Sequence, residues 1–454
     1  MSRMSRTPTL SLLFALSLAM GSHTASSGQA PASPAAIPHL HIDVQRSTLA
    51  NGLRVVLSVD HTSPTVAVDV MYDVGARDEQ RGRSGFAHLF EHMMFQGSAH
   101  VAKGDHMRLI ASHGGTLNAD TSSDRTNYFD LVPESELPLA MWLEADRMKS
   151  LDVSQANLDN QRLVVEEEYR MRVLNAAYAP AELRLDELTF QGYWPYEHSV
   201  IGTMKDLDAA TLDWVRAFHE RYYAPNVAVL VVSGDFDPAV ALERARAYFG
   251  DAKRVALARF EPGEMPEQDA PREDVVKDVH ARFPAVLYGW PTPPAHTPDH
   301  YALELAADVL AGGESSRLYK ALVHDRAIAI DVDAELEGHR GPDAFEVSSK
   351  LSAKGTVAGV EDVIADAITS LARTPPTEGE MRKVRNRRAS QFLFDLASNH
   401  ARAEQLATFE TYWGDAGLLN TELDRYLDVS AQDISRVVAR YLVPKHLSRV
   451  VVQP

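Results

Sequence analysis

A chain of 454 residues, 45% apolar and 24% charged, exceeds what one hydrophobic core usually covers and reads as two domains. Its formal net charge of −18 leaves no net basic field for a phosphate backbone, which disfavours nucleic-acid binding, and no run of about 18 apolar residues is present to span a bilayer, which excludes a transmembrane protein. With no cysteine, disulfides, thiol nucleophiles and cysteine metal sites are excluded too.

In chain order, Arg3 and Arg6 precede the apolar stretch Leu10 to Met20, and the small residues Ala19, Gly21 and Ala30 follow. That order predicts a cleaved signal peptide over residues 1–30 and a periplasmic or secreted protein. The Pro, Ala and Ser-rich stretch 31–40 reads as a linker, and folding begins near His41. Leu53 to Val59 and Thr65 to Tyr72 carry strand alternation, and Arg83 to Gln96 carries the wider apolar spacing of a helix. Gly114 and Gly115 break the chain before an extended stretch, Leu117 to Leu131, and helices follow from about Ser135 to Lys149 and from Asn157 to Val173.

A repeat organises the rest. Thr211 to Val232 and Ser430 to Val452 each read as a capped helix, a Tyr, a Pro and a β-branched strand, with Thr211 and Ser430, Tyr222 and Tyr441, and Pro225 and Pro444 all 219 residues apart. Gln96-Gly97 and Gly312-Gly313 are spaced by 216. Two homologous α+β halves follow: an N-terminal domain over 41–258, a connection over 259–274 and a C-terminal domain over 275–454.

The chemistry concentrates in GFAHLFEHMMFQG, Gly85 to Gly97. On a helix His88 and His92 share a face, where two imidazoles can bind one Zn²⁺, and Glu91 projects near the same edge within reach of a water there. The surrounding Phe86, Leu89, Phe90, Met93, Met94 and Phe95 predict a buried helix, in which these polar groups need partners or a metal. A catalytic zinc site wants a third protein ligand, and QRLVVEEEYRMR, Gln161 to Arg172, offers three. Glu166 lies four residues from Arg162 and from Arg170 and reads as part of a solvated, ion-paired face. Glu168, flanked by Val164, Val165 and Met171, is mildly preferred over Glu167. His113, His198 and His219 have no partner spacing and read as structural.

Together HLFEH, the glutamate cluster some 76 residues later, and GTLNADTSSDRTNY at Gly115 to Tyr128 resemble the pitrilysin and insulinase family of zinc metallopeptidases, whose inverted motif is H-x-x-E-H. WPYEHSVIG at Trp194 to Gly202 and GGESSRL at Gly312 to Leu318 extend the resemblance over most of the chain. It implies two similar domains enclosing a chamber and one zinc per chain. It also implies His88, His92 and, in the register of V-V-x-E-E, Glu168 as ligands, Glu91 as general base, and Asn118 and Ala119 beside the scissile bond of an extended peptide. Two departures stand out. Gln161 replaces a glutamate often found seven residues before the third ligand. His324 and Ile330 stand where many members carry an Arg and a Tyr that hold substrate, while Arg317 and Tyr319 read as structural. The second half has Glu304, Ala307 and Asp308 opposite His88, Glu91 and His92. That pattern resembles the zinc-bearing member of a two-subunit peptidase, completed by a homologous subunit that carries the Arg and Tyr, or by a homodimer. The alternatives are a non-proteolytic assembly or chaperone-like subunit of the same fold, and a zinc hydrolase of other substrates.

Overall fold

A computed structural model of the chain describes residues 40–256 and 263–454. The expected signal peptide, residues 31–39 of the expected linker and residues 259–262 of the expected connection lie outside the described residues. Among the described residues no helix is long and apolar enough to cross a membrane.

The fold is α+β, with two sheets and many helices. The first sheet contains β1 (Gln45–Thr48), β2 (Arg54–Val59), β3 (Thr65–Tyr72), β4 (Thr116–Thr121), β5 (Thr126–Pro133) and β6 (Ala228–Gly234), in the order β1-β2-β6-β3-β5-β4. The second contains β7 (Arg272–Lys277), β8 (Ala285–Thr292), β9 (Asp333–Leu336), β10 (Asp343–Lys350) and β11 (Ser448–Gln453), in the order β7-β11-β8-β10-β9. Without β1 the two orders coincide strand for strand. So do the directions: β2 with β6 and β7 with β11 are the parallel pairs, and every other pair is antiparallel. The repeat is visible at the caps as well. The Thr211 and Ser430 side chains accept from Trp214 N and Asp433 N, and Pro225 and Pro444 each open a 3₁₀ turn before β6 and β11.

Period-two alternation divides each central strand between two cores. On β3, Val66, Val68, Val70 and Tyr72 enter one core, which includes the helices α1 (Phe86–Met93), α3 (Leu137–Ser150) and α4 (Gln155–Tyr169), while Ala67 and Met71 enter another. A helix of the same length, α2 (Asp105–Ser112), follows α1. The second core of the first sheet is closed by a helix of the other half, Asn399–Trp413, through Ala403, Leu406, Ala407 and Phe409. Reciprocally, α5 (Ala179–Thr189), which precedes the one-turn helix α6 (Trp194–Glu197), lays Ala181, Leu185 and Leu188 on Leu287, Val450 and Val452 of the second sheet. Each half therefore lends one helix to its neighbour's sheet.

Candidate metal centre

The polar face of α1 is placed by how the helix begins. Gly85 enters it at φ +83°, where a Cβ would lie 2.6 Å from Ile201 O, so the position requires glycine both for its backbone and for its space. The fully buried Glu79 carboxylate then accepts from Gly85 N at 2.8 Å and Ala87 N at 2.7 Å, satisfying donors that a helix N-terminus leaves open. Phe86, Leu89, Phe90 and Met93 anchor the other face in the core, as the sequence predicts.

His88 and His92 consequently stand with ring centroids 4.9 Å apart, and both Nε2 atoms face Glu168 Oε2, at 3.7 and 3.2 Å. One ligand atom from each of the three residues lies within 4.8 Å of the others. Burial, with lesser contributions from His92 and Arg172, pushes the His88 imidazole down to about 3, and burial lowers His92 as well, so both rings are neutral with lone pairs to donate. Two neutral imidazoles and one carboxylate suit a borderline dication such as Zn²⁺ in number, element and charge. The remaining Glu168 oxygen, Oε1, is held by Arg172 Nη1 at 2.9 Å, one helical turn on. Gln161 is buried beside the cluster and its side chain hydrogen-bonds His92.

Glu91 precedes His92 on α1 and feels the Glu168 charge. Its Oε2 accepts from Thr121 Oγ1 at 2.5 Å, and burial first, then the Asp120 and Glu168 charges, raises its carboxyl to about 7. Thr121 ends β4, the edge strand whose single neighbour is β5. Asn118 is exposed on β4 and Ala119 is half-buried against the core, so the outer backbone edge of this strand faces away from the sheet beside α1.

Elsewhere in the cluster two expectations change. Glu166 is buried at 7% exposure and contacts Arg170 at 3.4 Å, whereas Arg162 donates to Ala210 O; the solvated member of the triplet is Glu167, 62% exposed and paired with Arg170. The apolar flank expected around Glu168 also fails, since Val165 is buried but Val164 and Met171 are 43% and 57% exposed. Packing of α4 on α1 turns Glu168 inward, and hydrophobic periodicity does not report it.

His324 and Ile330 are both exposed. Arg317 makes a bidentate pair with Glu380 at 2.8 and 3.1 Å, inside the capping box of the helix Glu378–Asp395, and Tyr319 packs on the second core. His219 stacks on Phe90 and His113 caps its own helix at Leu109 O. A second acid and histidine group, His106, Asp130 and Glu144, is fully buried, but there the Arg147 guanidinium, bonded to Glu144, already supplies the cation. Sequence reasoning missed Thr121, Arg172 and Glu79. Only Arg172, four residues after Glu168, left a local signal.

The family described as "Insulinase (Peptidase family M16)" matches residues 54–201, and the "Peptidase M16 inactive domain" matches 209–388. The chain is 27% identical over 410 residues to the zinc protease PqqE of Helicobacter pylori, covering 90% of this chain and 92% of that protein. It is 29% identical over 435 residues to an uncharacterized zinc protease of Mycobacterium tuberculosis, covering 94% and 96%. Among solved structures, a protease from Helicobacter pylori superposes with a TM-score of 0.87 at 27% identity over 91% of this chain and 100% of that one. Pitrilysin, at 17% identity, shares the fold with a TM-score of 0.74 over 91% of this chain and 45% of its own.

Proposed function

The chain is built of peptidase M16 domains, insulinase-like in the part that carries the His88, His92 and Glu168 cluster, and from that premise we propose that it is a zinc-dependent endopeptidase of extended or unstructured peptides. The observation that carries this reading is the convergence of two neutral imidazoles and a carboxylate within 4.8 Å, with Glu91 next to His92 on the same helix. A zinc ion held by His88, His92 and Glu168 would polarise a scissile carbonyl and acidify a water. Glu91 takes the proton of the attacking water and hands it to the leaving nitrogen. A carboxyl raised toward neutrality suits both halves of that transfer. The free edge of β4 pairs with an extended substrate, which sets the scissile bond near Asn118 and Ala119.

The same reading includes export, supported by the order of basic, apolar and small residues in the first 30 positions. It also includes a partner. The exposed His324 and Ile330 cannot supply the several donors of an Arg or the phenolic donor of a Tyr, so a homologous subunit or a second copy completes the substrate clamp.

Incubating purified chain with unstructured peptides, alone and mixed with a related exported protein that has the Arg and Tyr but no H-x-x-E-H, tests this. Mixing should raise turnover by about 10²–10³, the usual worth of an oxyanion donor. Glu91→Gln should keep its zinc and lose at least about 10² in rate. Zinc-loaded wild type that cleaves nothing, alone or mixed, would favour the assembly or chaperone-like alternative. Full activity of the chain as a monomer would remove the partner.

A further inference from the structure

The segment Trp194–Gly202 lies outside the cluster just described, yet it touches both elements that hold Glu91 in place. On one side, Trp194 Nε1 donates to Glu79 O at 2.7 Å and His198 Nε2 lies 3.1 Å from Glu79 Oε2, the carboxylate that caps α1. The Trp194 and His198 rings stack at 3.9 Å, and Gly202 packs so closely on Ser84 that a Cβ would meet its carbonyl at 2.5 Å. On the other side, Tyr196 OH donates to Asp124 Oδ1 at 2.9 Å. Asp124 is 2% exposed and sits in the turn between β4 and β5, three residues after Thr121.

That turn is tied to the second half as well. Asp124 also accepts from Arg77 Nη1 and from Arg340 N, each at 2.9 Å, and Gly341 N donates to Tyr196 OH at 2.8 Å. Arg340 and Gly341 belong to the loop joining β9 and β10, the counterpart of the turn they meet. A Cβ at Gly341 would lie 2.7 Å from the Tyr196 hydroxyl oxygen, so a side chain there would displace the Tyr196 ring. Asp73 pairs with both Arg77 and Arg340, and Asp78 lies 3.5 Å from Arg77 Nε, so the two arginines are held among three aspartates.

We propose that Trp194–His198 is a positioning element for the peptidase reaction: His198 fixes the start of α1, Tyr196 fixes the turn of β4, and their rigid spacing sets Thr121 against Glu91. The inference rests on the peptidase reading for its catalytic consequence but not for its structural one. Neither residue touches the reacting atoms. They act through Glu79 and Asp124, which hold the helix bearing the base and the strand bearing the substrate.

Tyr196→Phe keeps the ring that stacks on His339 and removes only the hydroxyl, while Tyr301→Phe, which removes a buried hydroxyl bonded to His296 and Glu422 in the second half, serves as control. Zinc content, amide exchange resolved by mass spectrometry, and kcat and KM on an unstructured peptide are measured for both. Tyr196→Phe should retain zinc and speed exchange across β4 and its turn about tenfold, with exchange unchanged there in the control. Its kcat should fall about tenfold with KM moving less than about threefold, the signature of a displaced base rather than a lost binding contact. His198→Leu should instead speed exchange at the start of α1. Equal β4 exchange in Tyr196→Phe and wild type, or equal acceleration in Tyr301→Phe, would overturn the proposal. If wild type itself turned over no peptide, the fault would lie with the peptidase reading, and exchange alone would decide whether the segment holds the strand.

Discussion

The His88, His92 and Glu168 cluster of the first half and its counterpart in the second solve one problem in opposite ways. In each half a helix follows the third strand of the shared order: α1 after β3, and Pro298–Ala311 after β8. Each presents two polar residues four apart to a facing helix, α4 in the first half and Glu378–Asp395 in the second. In the first half His88 and His92 meet Glu168, two neutral bases and one anion whose own counter-ion, Arg172, reaches only the far carboxylate oxygen, which leaves both imidazole lone pairs open to a cation from outside. In the second half Glu304 and Asp308 meet Arg388, at 3.5 and 2.7 Å, and Arg387 adds a second guanidinium 3.2 Å from Asp308. There the cation is part of the chain. The scaffold therefore specifies where three side chains converge, and the sign of their charges decides whether the place binds a metal or closes as an ion-pair network.

The sharpest test sets the two places side by side. His92→Ala should reduce bound zinc from one per chain to near none, whereas Asp308→Ala should leave the metal content unchanged, as elemental analysis of the purified variants would read. Full occupancy in His92→Ala would break the comparison at its root. Next in size, Glu168→Gln should weaken zinc binding by more than about 100-fold in a competitive titration, and Glu167→Gln by less than about twofold. The reverse order would shift the third ligand by one residue. In the second half the expected loss is in stability. Arg388→Met leaves Asp308, 8% exposed, and Glu304 short of their main counter-ion, and should cost about 3 kcal/mol in denaturant unfolding with zinc retained.

The smallest effect concerns Arg317, which the comparison assigns to structure rather than to substrate. Its hydrogen bonds, followed by those from Thr377, bring the Glu380 carboxyl down to about 2. A depressed carboxyl stabilises the fold fully above its unfolded value near 4.3 and loses that contribution as pH falls toward 2. Glu380→Gln should therefore cost about 1 kcal/mol at pH 7, allowing for the pair's partial exposure, and the difference from wild type should close between about pH 4 and pH 2. A variant as stable as wild type at pH 7 would return Arg317 to the list of substrate-binding groups.

How much of this was legible depended on the range of the interaction. The strands Leu53 to Val59 and Thr65 to Tyr72 announced themselves by alternation, and the duplication by the spacing of Thr211, Tyr222 and Pro225 from their partners, because each signal is local or repeated. His88, Glu91 and His92 were legible because one helical turn brings them together. Glu168 was reachable only through its resemblance to a family register. Its helix-face argument pointed to Val164 and Met171, which the fold leaves exposed, since α4 turns toward α1 for a polar contact. Thr121 carried no signal at all, because its meeting with Glu91 depends on where an edge strand passes a helix 30 residues earlier. The exchanged helices were not read from the sequence: the i, i+4, i+7 spacing of Ala181, Leu185 and Leu188 marks a buried face, but nothing local says in which half it is buried.

That exchange governs the order in which the molecule can be assembled. During synthesis the outer face of the first sheet, with Val56, Ala67, Met71, Val229 and Val231, is complete once β6 has emerged, but its cover arrives only with Asn399–Trp413. Asn399 then locks onto Thr65 O at 2.9 Å, and His400 stacks on Phe129 at 3.6 Å, contacts that span most of the chain. Such distant closure makes folding slow and leaves an apolar sheet face open to aggregation in the meantime. A product truncated before residue 399 would contain His88, His92 and Glu168 and still be unable to seal the sheet beneath them, so expression of the first half alone should yield insoluble chain rather than a minimal enzyme.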